Sequence, residues 1–552
     1  MTRKGRITRS LVVATVLALA LAGCVGIPSS GGVNQGPSVK SGGDTPFVTD
    51  PAPPPRNASQ TELINDFLQA ATSADNNYAI AKEYLTAKAA RSWNPTKSVL
   101  VREKPATPEE IGDNTVDYPV STNSSVNALG VYSQQATDST QTLSYTFTKV
   151  AGQWRISVLP DGIVLSRTSF ENFFQPYPVY FFDPDYRYLV PDVRWFPTGS
   201  TVQDRIVSAL IAGPADWLQQ GVVASAFPAG VQPGSPVLVQ NSAATVDFSA
   251  NAASTKATVR GQMKQQLQQS LLLTGITSVS MTARGAPLAV TDESGALPAI
   301  PANAAPLIQK GKQFGFFPGL ESLGGISTQV VQLNGTAATL DRGDSTAAVL
   351  TKAGVYLVTS TAPKPVDTRP DLIAPSIDTF GYVWSVPATD GSAIRAIGAD
   401  GVVHPITSSI PVGSTIRSLD VSHDGTRVLI YLDTHTGPRL IVAGIVRRAG
   451  VPTSLGDLLD LPVTSDIPID ATWVDPTTVA ALASGADEDT VTSYVIGGIP
   501  GDESTTVGAV RLVGGIDSDS LRLITASGEV QQLRASGWQN IGIVASILAT
   551  QQ

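Results

Sequence analysis

The chain has 552 residues and carries 46 acidic against 37 basic side chains, for a formal charge of −9, which argues against nucleic acid as a partner. Charged residues make up only 15% while Gly and Pro number 49 and 39, a balance that suits a β-rich globular protein and not aperiodic disorder. The length accommodates about two to four domains, and the one cysteine leaves no intrachain disulfide.

Arg3, Lys4, Arg6 and Arg9 precede an apolar run from Leu11 to Leu21 that is too short to span a bilayer, the layout of a secretory signal peptide over residues 1–23. Its end, Leu21-Ala22-Gly23-Cys24, resembles the bacterial lipobox. That resemblance implies a diacylglyceryl group on the Cys24 sulfur and a protein held at the extracytoplasmic face of the cell membrane. One acyl chain anchors only marginally, and two or more anchor stably. No later stretch approaches about 18 consecutive apolar residues. Residues 24–55, with SSGGVNQGPSVKSGGD followed by TDPAPPP, read as a Gly/Ser/Pro-rich tether reaching about 30 Å on average.

Residues 56–172 form the first expected domain. Ser59 and Glu62 match a capping box, and Leu63, Ile64, Phe67, Leu68 and Ala71 keep helical spacing. A second helix is predicted around Ala81, Tyr84 and Leu85. The pattern then alternates: VNALGVYSQ, QTLSYTFTKV and QWRISVLP read as strands of an antiparallel sheet. This succession resembles the cystatin-like or NTF2-like α+β cone, with Trp93 and Trp154 as core aromatics.

The second expected domain covers residues 178–290. Two strands meet at Asp183-Pro184-Asp185, and a helix capped by Ser200 or Thr201 carries Val202, Ile206, Val207, Leu210 and Ile211 and stops at Gly213-Pro214. A strand pair in VLVQNSAATVDFS, a helix through MKQQLQQSLLL and a strand in SVSMTARGAPL complete a ββ-α-ββ-α-β order. Ala209-Leu210, Gly213-Pro214, Ala226-Phe227-Pro228, Gly230-Val231, Ala244 to Ser249, and Val279 with Gly285 and Leu288 resemble the GerMN domain.

From residue 311 to 552 predicted helix almost vanishes and short strands recur. Turns at Gly381, Gly425, Pro476 and Gly528 space out at slightly more than the roughly 40 to 45 residues of a propeller blade. Each unit reads as an outer strand, a tight turn and an apolar strand. Ser422-His423-Asp424-Gly425 resembles the turn of TolB-type propellers, with His423 where proline is usual. An all-β C-terminal propeller is therefore expected, with a β-sandwich as the competing fold.

Catalytic candidates are scarce. His404, His423 and His435 are the only histidines, no zinc spacing or nucleophile elbow occurs, and Gly311-Lys312 lacks the upstream glycine of a phosphate loop. No catalytic, metal or cofactor residue is assigned. Asp183, Asp424 and Asp475 read as turn formers, and His423 as structural.

A lipobox, a tether, an α+β domain, a GerMN-like domain and a propeller, in that order, resemble the LpqB lipoprotein family of actinobacteria. The resemblance implies an envelope accessory protein, not an enzyme, that works with a membrane sensor histidine kinase of the MtrA/MtrB type in cell-wall homeostasis and division. The other reading is a module that binds cell-wall polymer through exposed aromatics such as Trp217 or Trp384.

Overall fold

In the computed structural model, which describes residues 51–74, 76–291, 297–298, 303, 305–464, 466–535 and 537–552, the first helix starts where the capping box predicts it. The expected signal peptide, Cys24 and nearly all of the tether lie outside the described residues. Ser59 Oγ accepts the Glu62 N–H at 3.2 Å, and helix α1 (Gln60–Ala70) follows with Leu63, Ile64, Phe67 and Leu68 buried. The second expected helix is two short ones, α2 (Ala79–Glu83) and α3 (Ala87–Ser92). The break has a cause: Thr86 N–H and Tyr84 C=O both pair with the backbone of Ile156, at 2.9 Å each, so the chain spends this turn on the sheet. Thr86 Oγ1 then caps α3.

The six-stranded sheet behind these helices contains Thr115–Asn127, Tyr132–Val150 and Gln153–Val158 as an antiparallel meander. VNALGVYSQ is its first reversal and not a strand. Asn127 Oδ1 accepts the Leu129 and Val131 N–H groups at 2.9 and 3.0 Å, and Gly130 adopts φ +80°. Trp93 is in the core, 5.3 Å from the Phe67 ring, and its Nε1–H donates to Gly162 C=O at 3.2 Å. Trp154 is half-buried and packs against the edge of the same core, with Lys149 Nζ 4.8 Å above its ring.

Helix α4 (Arg167–Phe173) leads into a long hairpin, Phe174–Phe182 with Tyr188–Pro197, which carries the chain from the N-terminal domain into the GerMN-like domain. Helices α5 (Val202–Ala212) and α6 (Ala257–Leu271) alternate with strands in the predicted order. Strands Ala243–Phe248 and Ser278–Ala283 run parallel because α6 returns the chain to the same end of the sheet. Thr201 occupies the N-cap of α5, but its side chain makes no capping bond.

The remainder is a six-bladed propeller among the described residues. Five four-stranded blades span 337–367, 376–405, 415–461, 467–506 and 509–544. The sixth takes its inner strand, Ile547–Gln551, from the end of the chain and two further strands, Leu307–Lys310 and Gln313–Phe316, from before the first blade. Ile547–Gln551 also runs parallel to Ala337–Leu340, closing the ring. The propeller thus begins ahead of residue 311, and one helix, α7 (Gly325–Leu333), sits within it with Ile326 and Val330 buried. Radial closure leaves only short outer edges exposed. In each of the five four-stranded blades the strand before the Asp-containing turn is the innermost, not an outer one. Gly528 lies one turn later in its blade than Gly381, Gly425 and Pro476 do in theirs, which inflates the apparent period.

These domains are not separate beads. A single hydrophobic core joins Phe181, Val190, Leu210, Leu218, Val222 and Met263 of the GerMN-like domain to Leu429, Tyr431, Val442, Trp473 and Tyr494 of blades three and four. Trp195, on the same hairpin, faces the other way into the N-terminal core with Tyr132 and Phe170, and its Nε1–H donates to Gly497 C=O of blade four at 2.9 Å.

Candidate functional site: the open mouth of the propeller

Antiparallel strands reverse at alternate ends, so in every blade the first and third turns share one face of the propeller and the second turn shares the other with the link to the next blade. The first face is covered by the protein itself. Arg187 of the GerMN-like hairpin stacks 4.1 Å from the Phe380 ring in the first turn of blade two, and Arg342 in that of blade one donates to Tyr188 Oη at 3.2 Å. His423 Nε2 lies 3.2 Å from Gly515 C=O, linking the first turns of blades three and five. Burial pushes the His423 pKa down and favours the neutral ring, as a structural role requires.

The turn aspartates do what their residue type suggests. Asp183 accepts the Asp185, Arg187 and Tyr188 N–H groups, Asp424 that of Thr426 and Asp475 that of Thr477. Asp378 does more: it accepts the Phe380 and Tyr382 N–H groups, the Trp384 indole at 2.9 Å and Arg447 of the neighbouring blade at 2.5 Å. Asp378 and Arg447 are both buried, so this pair rivets blade two to blade three.

The opposite face is open, and a cavity of about 570 Å³ enters it. All six blades contribute, through Ala337, Ala374, Arg417, Ile469, Val510 and Ile547 near the starts of the inner strands. Beneath lies a narrow space of about 20 Å³ among Ser418, Asp420, Asp470, Thr472, Arg511 and Thr550. Burial pushes the Asp420 carboxyl up to about 6, with Thr472 and Trp473 partly opposing by hydrogen bonds and Asp470 reinforcing the shift. Burial raises Asp470 as well, against the attraction of Arg511. A separate crevice of about 310 Å³ lies where the three domains meet, beside the buried Asp192–Arg194 ion pair.

The sequence pointed elsewhere. Trp384 is fully buried, so its ring is not presented for stacking on a sugar, and Trp217, 9% exposed, packs against the outer strand of blade three and lines the three-domain crevice. His404 packs edge-on to Tyr382 and His435 is exposed. The sequence does not single out Arg417, Asp420, Asp470 and Arg511, because they lie on three strands about 40 to 50 residues apart in the chain. The one available signal was their shared place in the inner strands of blades three, four and five. Among the described residues no cluster of His, Cys, Asp and Glu is arranged to hold a metal, and no helix is long and apolar enough to cross a membrane.

Three family models match in succession: "Lipoprotein LpqB, N-terminal domain" over residues 53–171, "Sporulation and spore germination" over 178–289 and "Lipoprotein LpqB beta-propeller domain" over 318–546. A Lipoprotein LpqB of Cutibacterium acnes is 26% identical over 543 residues, covering 90% of each chain. Those of Thermobifida fusca and Nocardia farcinica are each 32% identical, matched over 39% and 36% of this chain and 36% and 32% of their own lengths. Among solved structures, the tandem GerMN domains of GerM from Bacillus subtilis align over 26% of this chain and 59% of theirs, at 16% identity and a TM-score of 0.19. A Niastella koreensis GH74 enzyme aligns over 38% of each chain, at 12% identity and a TM-score of 0.28. Superpositions at this level carry no argument.

Proposed function

The chain belongs to the LpqB lipoprotein family, and from that premise we propose that it is an accessory protein anchored through acylated Cys24 at the extracytoplasmic face of the cell membrane, where its propeller docks a sensor histidine kinase of the MtrA/MtrB type and modulates its signalling in cell-wall homeostasis and division. One observation carries the docking role: the GerMN-like hairpin covers one propeller face, while the other keeps a mouth to which every blade contributes. A rigid platform with a single open face presents one surface to a partner, and propeller faces are common docking surfaces. The role is one of binding and not of catalysis. Polymer binding through Trp217 and Trp384 has no comparable support, since both rings are buried.

The test is retention of the kinase's extracytoplasmic domain by the folded unit Val48–Gln552, which forms one compact body. Retention is expected, and a lysine at exposed Val412, Val403 or Val510 distinguishes the surfaces. Absence of binding removes the docking role.

A further inference from the structure

The mouth of the propeller has an imbalance between donors and acceptors. Asp420 Oδ2 accepts from Thr472 Oγ1 at 3.1 Å and Trp473 N–H at 3.3 Å, and its Oδ1 lies 3.4 Å from Ser376 Oγ. Asp470 accepts the Ala471 and Leu512 N–H groups at 3.0 and 2.9 Å, one on each oxygen. All four carboxylate oxygens are therefore engaged by the protein.

The donors are not. Arg511 commits one N–H to Thr550 Oγ1 at 3.0 Å, while its buried Nε–H meets no acceptor among the described residues. Ser418 Oγ, in the narrow space beneath the mouth and on a residue 7% exposed, is likewise without a partner among the described residues. Arg417, at the rim, pairs with Asp433 at 3.5 Å. The wall around these groups is mixed: Asp470, Thr336, Thr525 and Ser527 line it beside the apolar Ile373, Ile469 and Val510, the last 51% exposed. A guanidinium with open donors matches a planar or tetrahedral oxyanion, and unmet buried donors are costly until an acceptor arrives. The volume, about 570 Å³, falls among those of small-molecule sites, about 300–1,000 Å³.

We propose that the open mouth is a binding site for a ligand with a carboxylate or phosphate head and an apolar flank. Arg511 holds the head, Arg417 attracts it from the rim, and Ile373, Ile469 and Val510 receive the flank. The site shares a face with the docking surface but needs no kinase, so the two ideas fail separately.

Calorimetric titration of the unit Val48–Gln552 tests it with two probes, decyl phosphate and the peptide acetyl-Val-Leu with a free carboxylate. Each has a counterpart without the anion, decyltrimethylammonium and the peptide amide. Saturable binding of at least one anionic probe is expected, at least tenfold tighter than its counterpart. Which probe binds separates a lipid-like source from a polypeptide terminus. Arg511→Gln is expected to weaken binding at least tenfold. Because that change touches the Thr550 contact, Ala526→Glu on the exposed rim supplies a variant that leaves the interior intact, with a several-fold loss expected where Ala526→Lys gives none. Binding of neither anion, equal binding of anion and counterpart, or indifference to these substitutions overturns the assignment.

Discussion

If the GerMN-like domain and the propeller share one core, a methyl group added at Gly444 must be felt at Val222. Gly444 lies in the Gly437–Arg448 strand of blade three, and a Cβ built there would stand 2.5 Å from both Val222 γ-carbons and 3.0 Å from its Cβ. Val222 is fully buried, so it has nowhere to retreat. Overpacking of this kind costs about 1–3 kcal/mol, and the lower chain entropy of alanine in the unfolded state returns about 0.4–1 kcal/mol. Gly444→Ala is thus expected to destabilise by about 1–2 kcal/mol. With unfolding entropy near 2.1 cal/mol/K per residue, a body of about 500 residues melting as one unit loses about 1–2 °C in Tm. Val222→Ala alone removes two methyl groups and costs about 2 kcal/mol. Combined with Gly444→Ala it should cost about 1–2 kcal/mol less, because the new Cβ fills the space vacated. Calorimetric melting of the four proteins closes the cycle. Costs that add within about 0.5 kcal/mol would refute a shared core at this contact.

Three further outcomes are expected. The folded state holds the Asp420 proton up to about pH 6 against an ordinary value of 3.8, so its contribution to stability is greatest below that ordinary value and is lost as pH rises through 6, by about 3 kcal/mol at most. Asp420→Asn should therefore gain stability relative to the parent protein between pH 4 and 7, and a constant difference in Tm across that range contradicts the assignment. Asp378→Ala strands Arg447, the Trp384 indole and two backbone N–H groups, and should cost about 3–5 kcal/mol in urea unfolding; a loss below about 1 kcal/mol would show that the pair does not join the blades. Cys24→Ser should move the protein from the membrane to the soluble fraction of cells, and persistence in the membrane fraction would disprove the lipid anchor.

Local patterns read well where local physics decides. The Ser59 capping box, the turn aspartates Asp183, Asp424 and Asp475 and the ββ-α-ββ-α-β order all rest on bonds between residues a few positions apart. Where the pattern misled, a distant partner intervened. The break between α2 and α3 exists because Ile156 competes for the backbone of residues 84 and 86. The Asn127–Val131 reversal keeps enough apolar residues to imitate a strand, and Gly130 is required there because any Cβ would meet the Phe196 ring at 2.6 Å.

The order of the domains and the recurrence of the blades were legible in one dimension, because periodicity and turn chemistry are properties of neighbouring residues. Tertiary structure alone decided the blade count, the closure by Ile547–Gln551, the burial of Trp217 and Trp384, and which propeller face stays open. It also brought Asp420, Asp470 and Arg511 into one narrow channel. Each of these depends on residues tens to hundreds of positions apart meeting in space, where packing and desolvation act on whichever side chains the fold has made neighbours.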